Sequence, residues 1–495
     1  MTTNYLDNFY ARLGISKNAS PTEVRDAYYR AAKQLHPDTN DTPAATELFL
    51  QVQEAYETLS NELKRTEYDS FLPEDIEAPP DIMVNAIYSR EILPISDSPQ
   101  LIYLLLNLIA VKEPIEQNES SKPPLNICLV LDSSTSMGGK RLDAVKATAS
   151  NIIKELAPQD ILSVISFNDH SEVIIPANRG SDYSKIDSRI RMISAKGGTE
   201  IYKGLNAGLF EISKNSQSSH INHLILITDG RTYGDEDESL QLAEEAQEKG
   251  VTISCLGIGH KWNDKFLDEI ATKTGGSSFY ASNPKNVNKI LNETFEELNL
   301  TYANNVSIEL NSEDDIELRY AFRMSPNSSP LEMGNPLELG SVPLGGNLSI
   351  LLEFYLPKID EETDKYILGE GNLNLTIPNR AIPQIKNKLI FSRPVALNPE
   401  KSPPPQVLIK AMSKLSLYRM QEQARNELAE GKVAKATTRL NNLAVQLLSS
   451  GNPDLAHTIR LELEKIKDGN SLSEEAEKQI KYGTRALVFP QERNK

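Results

Sequence analysis

Apolar residues recur at two periods along this chain, and the changes of period divide it into blocks. Val24, Ala27, Tyr28, Ala31 and Leu35 step by three and four, as do Leu48, Val52, Ala55, Tyr56 and Leu59. Two amphipathic helices are therefore predicted in the first seventy residues. Ser20 can cap the first, Pro21 suits its first turn and Glu23 stands at the capping-box position. Between the helices lies His36-Pro37-Asp38. Proline ends the first helix, so an antiparallel hairpin would carry the imidazole and the carboxylate at its tip.

From about Leu125 to Leu300 the pattern changes to short β-branched runs: Ile127–Leu131, Ile161–Phe167, Ser171–Ile175, Leu224–Thr228, Val251–Ile258 and Ser277–Tyr280. Helical patterns such as Val145–Leu156, Tyr202–Ile212 and Leu240–Lys249 lie between them. This alternation predicts a doubly wound parallel sheet. Such sheets place their ligand sites outside the carboxyl ends of the strands.

Strand-like alternation also flanks this block. Before it stand Ile82, Val84, Ala86 and Tyr88, then Leu101–Val111. After it come Val306–Leu310, Ile316–Phe322, Leu348–Leu356, Leu373–Ile377 and Leu389–Phe391. One β-sandwich drawn from both groups, with the α/β domain inserted, is the economical reading; an independent β-domain over 302–395 is the alternative. Helical patterns at Val407–Leu428, Val433–Leu448 and Leu455–Ile466 close the chain, with Gly431 and Gly451 at helix ends. The expected class is multidomain α+β: a helical hairpin over 1–70, a linker over 71–80, sandwich strands over 81–120 and 301–393, and the α/β domain over 121–300. A second linker over 394–405, a C-terminal helical bundle over 406–470 and a tail over 471–495 complete it.

Composition narrows the functional classes. With 39% hydrophobic and 24% charged residues the chain reads as soluble and globular. A net charge of -17 lacks the basic footprint of a general nucleic-acid binder. The N-terminus lacks the pattern of a signal peptide, and Leu101–Val111 is about half a membrane span, so no membrane segment is expected. Only two cysteines, Cys128 and Cys255, occur, both in strand-like runs. That excludes a disulfide framework and suits a reducing cytoplasm.

The candidate chemistry is hard oxygen chemistry. Asp132-x-Ser134-x-Ser136 follows the first strand of the α/β block, Gly197-Gly198-Thr199 precedes a helix, and Thr228-Asp229-Gly230 follows a later strand. Three hydroxyls and two carboxylates at one sheet edge suit Mg²⁺, or another divalent cation such as Mn²⁺. They leave the ion electrophilic toward an acidic group from a partner. Gly138-Gly139-Lys140 is too short for a phosphate loop. His220 and His223 have weak ligand spacing and read as surface-loop residues. No catalytic constellation stands out, so a non-enzyme is expected.

Two resemblances sharpen this picture. FYARLGISKNASPTEVRDAYYRAAKQLHPD followed by FLQVQEAYETLSNELKRTEYD resembles a DnaJ-type J domain over its whole length. The resemblance implies docking on a DnaK-type chaperone, whose ATPase it would stimulate, through His36, Pro37 and Asp38 and a basic face of Arg25, Arg30 and Lys33. It also implies a core including Phe9, Leu13, Tyr28, Phe49 and Tyr56. Asp26 and Tyr29 depart from the family, which usually has Lys or Arg there. The central block resembles a von Willebrand factor type A domain with its metal-ion-dependent adhesion site. Asp132, Ser134, Ser136, Thr199 and Asp229 match the five motif positions, and the sixth ligand would come from an acidic residue of a protein partner. Tyr482-Gly-Thr-Arg-Ala-Leu resembles a segment near the end of related bacterial chains.

The expected function is a cytoplasmic co-chaperone adaptor that joins a chaperone to a metal-dependent protein partner. A scaffold or adhesion-like assembly factor with a weak or vestigial J domain is the alternative.

Overall fold

Asn8 begins α1 (Phe9–Leu13) by accepting the Ala11 N–H at 2.9 Å. In the computed structural model the described residues are 8–35, 43–70, 72, 82–110, 122–179, 183–232, 234–312, 315–359, 365–378, 380, 382–400, 402–467 and 471–488. The next helix, α2 (Pro21–Leu35), starts with the expected reciprocal cap. Ser20 N–H donates to Glu23 Oε2 at 2.7 Å, and Glu23 N–H returns to Ser20 Oγ at 3.3 Å. α3 (Pro43–Leu59) packs on α2, burying Val24, Ala27, Ala31 and Leu35 with Leu48, Val52, Ala55 and Leu59. Tyr28 stacks on Tyr56 with ring centroids 4.2 Å apart. α4 (Glu62–Ser70) locks onto α1: Tyr68 stacks on Phe9, and Asp69 accepts the Tyr10 hydroxyl at 2.7 Å.

Three strands follow, β1 (Ile82–Tyr88), β2 (Leu93–Pro94) and β3 (Gln100–Ala110); β1 pairs with β3, and β2 and β3 have further partners beyond the α/β domain. That domain carries β4 (Leu125–Asp132), β5 (Ile161–Phe167), β6 (Ser171–Arg179), β7 (Ile221–Thr228), β8 (Thr252–Ile258) and β9 (Ser278–Ala281), in sheet order β6-β5-β4-β7-β8-β9. Five strands run parallel. The edge strand β6 is antiparallel to β5, because a three-residue turn is too short for a crossover.

Helices cover both faces: α5 (Lys140–Glu155), α6 (Tyr183–Met192), α7 (Ile201–Ser213), α8 (Glu236–Glu248), α9 (Asp264–Lys273) and α10 (Pro284–Asn299). Strand alternation sorts the core into two layers. Ile127, Leu129 and Leu131 join the residues of α5 and α10, while Cys128 and Val130 join those of α7, α8 and α9. Gly204 and Gly208 let α7 lie close on the sheet, since a Cβ at either would stand 2.7 Å from Phe167 or Val130.

The outer strands are β10 (Thr301–Asn311), β11 (Glu317–Ser325), β12 (Ser329–Pro330), β13 (Leu337–Pro343), β14 (Asn347–Leu356), β15 (Lys365–Thr376) and β16 (Gln384–Ala396). They form two five-stranded sheets with the early strands, ordered β1-β3-β14-β11-β12 and β13-β10-β15-β16-β2. β3 lies between β1 and β14, with Leu106 opposite both Ala86 and Ile350. Alternate residues of both sheets share one apolar core that includes Val84, Leu106, Ile308, Ile350, Leu373 and Phe391. This is a β-sandwich built from segments on either side of the α/β domain. Its outward residues on β1 and β3, Met83, Ile87, Leu105 and Ile109, are also buried. α1 lies against β1, and Gln51 of α3 accepts a hydrogen bond from the Asn85 side chain.

The helices α11 (Gln406–Ala429), α12 (Val433–Ser449), α13 (Pro453–Lys467) and α14 (Glu474–Leu487) close the chain. The segment expected as a tail is thus largely helical. It begins with a Ser473 cap, whose hydroxyl oxygen accepts the Ala476 N–H, and three acidic residues in its first turn. The chain divides into two compact units, 1–123 with 300–410 and 124–299 with 411–495.

Candidate functional site

The carboxyl ends of β4 and β7 bring the oxygen-bearing side chains together. Asp132 ends β4 and is fully buried. Its Oδ1 accepts the Ser134 N–H at 2.7 Å, and its Oδ2 accepts the Thr228 hydroxyl at 2.6 Å. Both donors are neutral. Burial pushes the Asp132 carboxyl up to about 6, and those hydrogen bonds only partly offset the rise. Ser134 Oγ lies 3.0 Å from Ser136 Oγ, and Ser136 donates to Asp229 Oδ1 at 2.6 Å.

The second loop is tied to the first through its backbone. Thr135 N–H and hydroxyl both reach Gly197 O, at 3.1 and 2.9 Å, and Lys196 N–H donates to Ser133 O at 2.8 Å. Gly197 has φ +73, and a Cβ there would stand 1.9 Å from Asp169 Oδ1. The residue must be glycine for Asp169 to hold Gly198 N–H at 2.6 Å. Thr199 is buried against the third loop, its Oγ1 only 3.0 Å from where a Cβ on Gly230 would be. Asp132, Ser134, Ser136, Thr199 and Asp229 thus meet where three loops converge.

Among the described residues no group of three or more His, Cys, Asp or Glu side chains is placed to hold a metal ion. Any ion here would rely on hydroxyl oxygens. Two carboxylates with three hydroxyls form a hard donor set of the kind Mg²⁺ accepts. A buried Asp132 with only neutral donors is a group that a cation would stabilise.

Residues to which the sequence reading assigns no role complete the cluster. Thr228 orients Asp132. Ser133 ties β4 to β5 through Phe167 O at 3.0 Å. Arg141, in the first turn of α5, pairs with Asp229 Oδ2 and donates to Ser136 O at 3.3 Å. A sequence signal for Arg141 existed: Lys140 and Arg141 place two cations at a helix start, where the helix dipole disfavours them. Contrary to the surface-loop expectation, His220 and His223 are buried. His223 sits within β7 with its Nε2 3.0 Å from Ser254 Oγ, a hydrogen-bonding arrangement rather than a metal site.

On the N-terminal hairpin, Arg25, Tyr29 and Lys33 form one exposed stripe of α2, at steps of four. Arg30 is half-buried beside it. Asp26 lies 3.8 Å from the Arg25 guanidinium. His36, Pro37 and Asp38 lie outside the described residues.

A helical hairpin followed by an α/β domain with this oxygen cluster defines the class: a chain that joins two interaction domains. Residues 8–69 match the DnaJ domain and residues 126–293 the von Willebrand factor type A domain, so the chain carries an N-terminal J domain followed by a type A domain. Residues 406–490 match the Sll0103-like, C-terminal alpha-helical domain. The uncharacterized protein sll0103 of Synechocystis is 27% identical over 379 residues, covering 74% of this chain and 89% of the relative. The chaperone protein DnaJ of Streptococcus pneumoniae is 52% identical over 63 residues, which are 13% of this chain and 17% of that protein.

Among solved structures, the von Willebrand factor type A protein from Catenulispora acidiphila superposes with a TM-score of 0.60 at 17% identity, covering 77% of this chain and 89% of that one. The ArnB paralog VWA2 from Sulfolobus acidocaldarius gives 0.51 at 15%, covering 83% and 99%. These likenesses show the fold. Both matched domains are of adaptor or interaction type rather than catalytic, and a J domain implies an Hsp70 (DnaK-type) partner. No helix among the described residues is long and apolar enough to cross a membrane.

Proposed function

We propose that this protein is a cytoplasmic, non-enzymatic co-chaperone adaptor. The J domain recruits a DnaK-type chaperone and stimulates its ATPase through His36, Pro37, Asp38, Arg25, Arg30 and Lys33. The type A domain holds Mg²⁺, or another divalent ion such as Mn²⁺, with Asp132, Ser134, Ser136, Thr199 and Asp229. When bound, the ion supplies a Lewis-acidic coordination position for a carboxylate of the partner protein. This chain's residues fix the ligands: Thr228 and the Ser134 amide aim Asp132, and Ser136 links Ser134 to Asp229.

The observation that carries the reading is the convergence of those five oxygen side chains in a chain that also bears a J domain. The test uses the full chain. Single-turnover ATPase of the cognate chaperone should rise with the wild type and not with His36→Gln. Partner capture should require Mg²⁺, fail in EDTA, and be lost in Asp132→Ala and Thr199→Ala proteins that remain folded. Equal stimulation by His36→Gln, or undiminished capture in EDTA, refutes the corresponding half.

A second reading, a scaffold with a weakened J domain, has its own observation. Exposed Tyr29 and Asp26 stand on the Arg25 face of α2, and Asp26 lies near enough to offset that arginine. Charge complementarity mainly sets encounter rate and partner choice, so this face would bind a chaperone more slowly. Asp26→Lys, if it raises ATPase stimulation at low salt, identifies the weakness.

A further inference from the structure

Arg141 stands in an unusual place. It occupies the first turn of α5, whose exposed backbone N–H groups disfavour a cation. Its guanidinium nevertheless turns into the oxygen cluster, pairing with Asp229 Oδ2 and reaching Ser136 O. The Asp229 side chain is 0% exposed, whereas that of Arg141 is 34% exposed. One partner is therefore fixed and the other can leave toward solvent. The loop after β8 comes close to the guanidinium: a Cβ on Gly259 would lie 3.2 Å from Arg141 Nη2. The remaining Asp229 oxygen accepts from Ser136. Both oxygens of Asp229 are thus already engaged, one by a hydroxyl that belongs to the oxygen cluster and one by a full positive charge.

We propose that Arg141 is a built-in competitor for the divalent ion, a displaceable counter-charge on Asp229 that sets how tightly the site holds Mg²⁺. This rests on the metal-site reading above. A +2 ion bound by Ser136 and Asp229 would lie close to a guanidinium on the same carboxylate, and the two cations repel. Binding therefore requires Arg141 to swing away from Asp229, and the free energy of that ion pair is subtracted from ion affinity. In the ion's absence Arg141 neutralises Asp229 and holds the third loop to α5. Arg141 acts through Asp229 and is a positioning residue.

The test is direct Mg²⁺ and Mn²⁺ titration by calorimetry, with melting curves, on the full-length wild type, Arg141→Gln, Arg141→Lys and Asp229→Asn. Arg141→Gln should bind the ion at least tenfold more tightly and melt lower than wild type in EDTA, so its metal-induced rise in Tm is larger. Arg141→Lys, which keeps the charge, should bind within threefold of wild type. Equal affinity of wild type and Arg141→Gln overturns the proposal, as does weaker binding by Arg141→Gln, which would make Arg141 a support of the ligands. If neither wild type nor Arg141→Gln binds either ion, the metal reading itself fails and the proposal with it. Binding that persists in Asp229→Asn likewise places the ion elsewhere.

Discussion

His223 shows how a residue's surroundings determine its chemistry. Complete burial in β7 pushes its imidazole down to about 4, so the folded chain resists taking a proton that the unfolded chain accepts near 6.5. As pH falls from about 6.5 to 4 the unfolded state gains protons first, and stability drops by about 3 kcal/mol from this group before levelling off. Urea unfolding at pH 7 and pH 5 should reveal the loss, and His223→Gln should remove most of the difference. The raised Asp132 carboxyl acts in the opposite sense over this range, so the test is the difference between the two proteins: a His223→Gln protein with the pH dependence of wild type refutes the assignment. The five oxygen residues were legible because each follows a strand or opens a helix, where chain geometry is predictable. Burial at His223 was not, because His220, Asn222 and His223 follow directly on a Gln217-Ser218-Ser219 stretch and give the start of β7 the polar composition of a loop. Arg141 was missed because its partner, Asp229, is 88 positions away.

At the scale of elements, α2 and α14 are opposites. The cap and apolar stripe of α2 are local, so the helix is readable from sequence alone. α14 reads as a tail in the sequence because its buried side is charged: Lys478, Lys481 and Arg485, at helical spacing, are all buried. A hydrophobicity pattern counts such positions as surface. Their anions come from α9. Lys481 reaches Asp264 at 2.5 Å and Asp268 at 2.7 Å, Arg485 reaches Asp268 at 3.1 Å, and Arg425 of α11 reaches Asp264 at 2.7 Å. Burial alone would raise the Asp264 carboxyl, but Lys481 and Arg425 hold it well below the ordinary range. Tyr482, from the motif near the end of the chain, packs among Trp262 and Tyr280 and meets Ser278 Oγ at 3.1 Å. The role of that motif is thus to fasten the last helix to the type A domain.

Asp264→Asn should cost about 3–5 kcal/mol, because it leaves buried cations without their counter-charge. Replacing Asp264, Lys478, Lys481 and Arg425 together by apolar residues of similar size, which leaves Asp268 paired with Arg485, should cost far less. Denaturant midpoints of the two proteins separate these outcomes. The wild-type contribution is present above the unfolded carboxyl pKa near 4 and is lost as pH falls toward the depressed folded value.

For the whole molecule, the helical hairpin is part of the sandwich's surface rather than an appendage. The outward residues Met83, Ile87, Leu105 and Ile109 are buried, and α1 lies against β1. A chain beginning at residue 82 should expose this apolar face and self-associate, measurable as a concentration-dependent rise in mass by light scattering. A monodisperse monomer at high concentration contradicts the packing. From sequence, the two groups of flanking strands could be recognised, but not their pairing. Strand alternation reports which face is buried and carries no record of which distant segment lies alongside.

The β3–β14 pairing also has a temporal consequence. Leu106 meets Ile350 only after about 240 further residues have been made, which at 5–20 residues per second takes roughly 12–50 s on a ribosome. During that interval β3 can pair with β1 but has no partner on its other edge, while all six strands of the intervening type A domain have been made and only the contacts from α11 and α14 are still to come. The central sheet should therefore form before the sandwich. In pulse-labelled hydrogen exchange, amides of β4 and β7 should be protected before those of β3 and β14. The newborn chain thus exposes an unpaired strand for tens of seconds, behind a J domain that has already emerged.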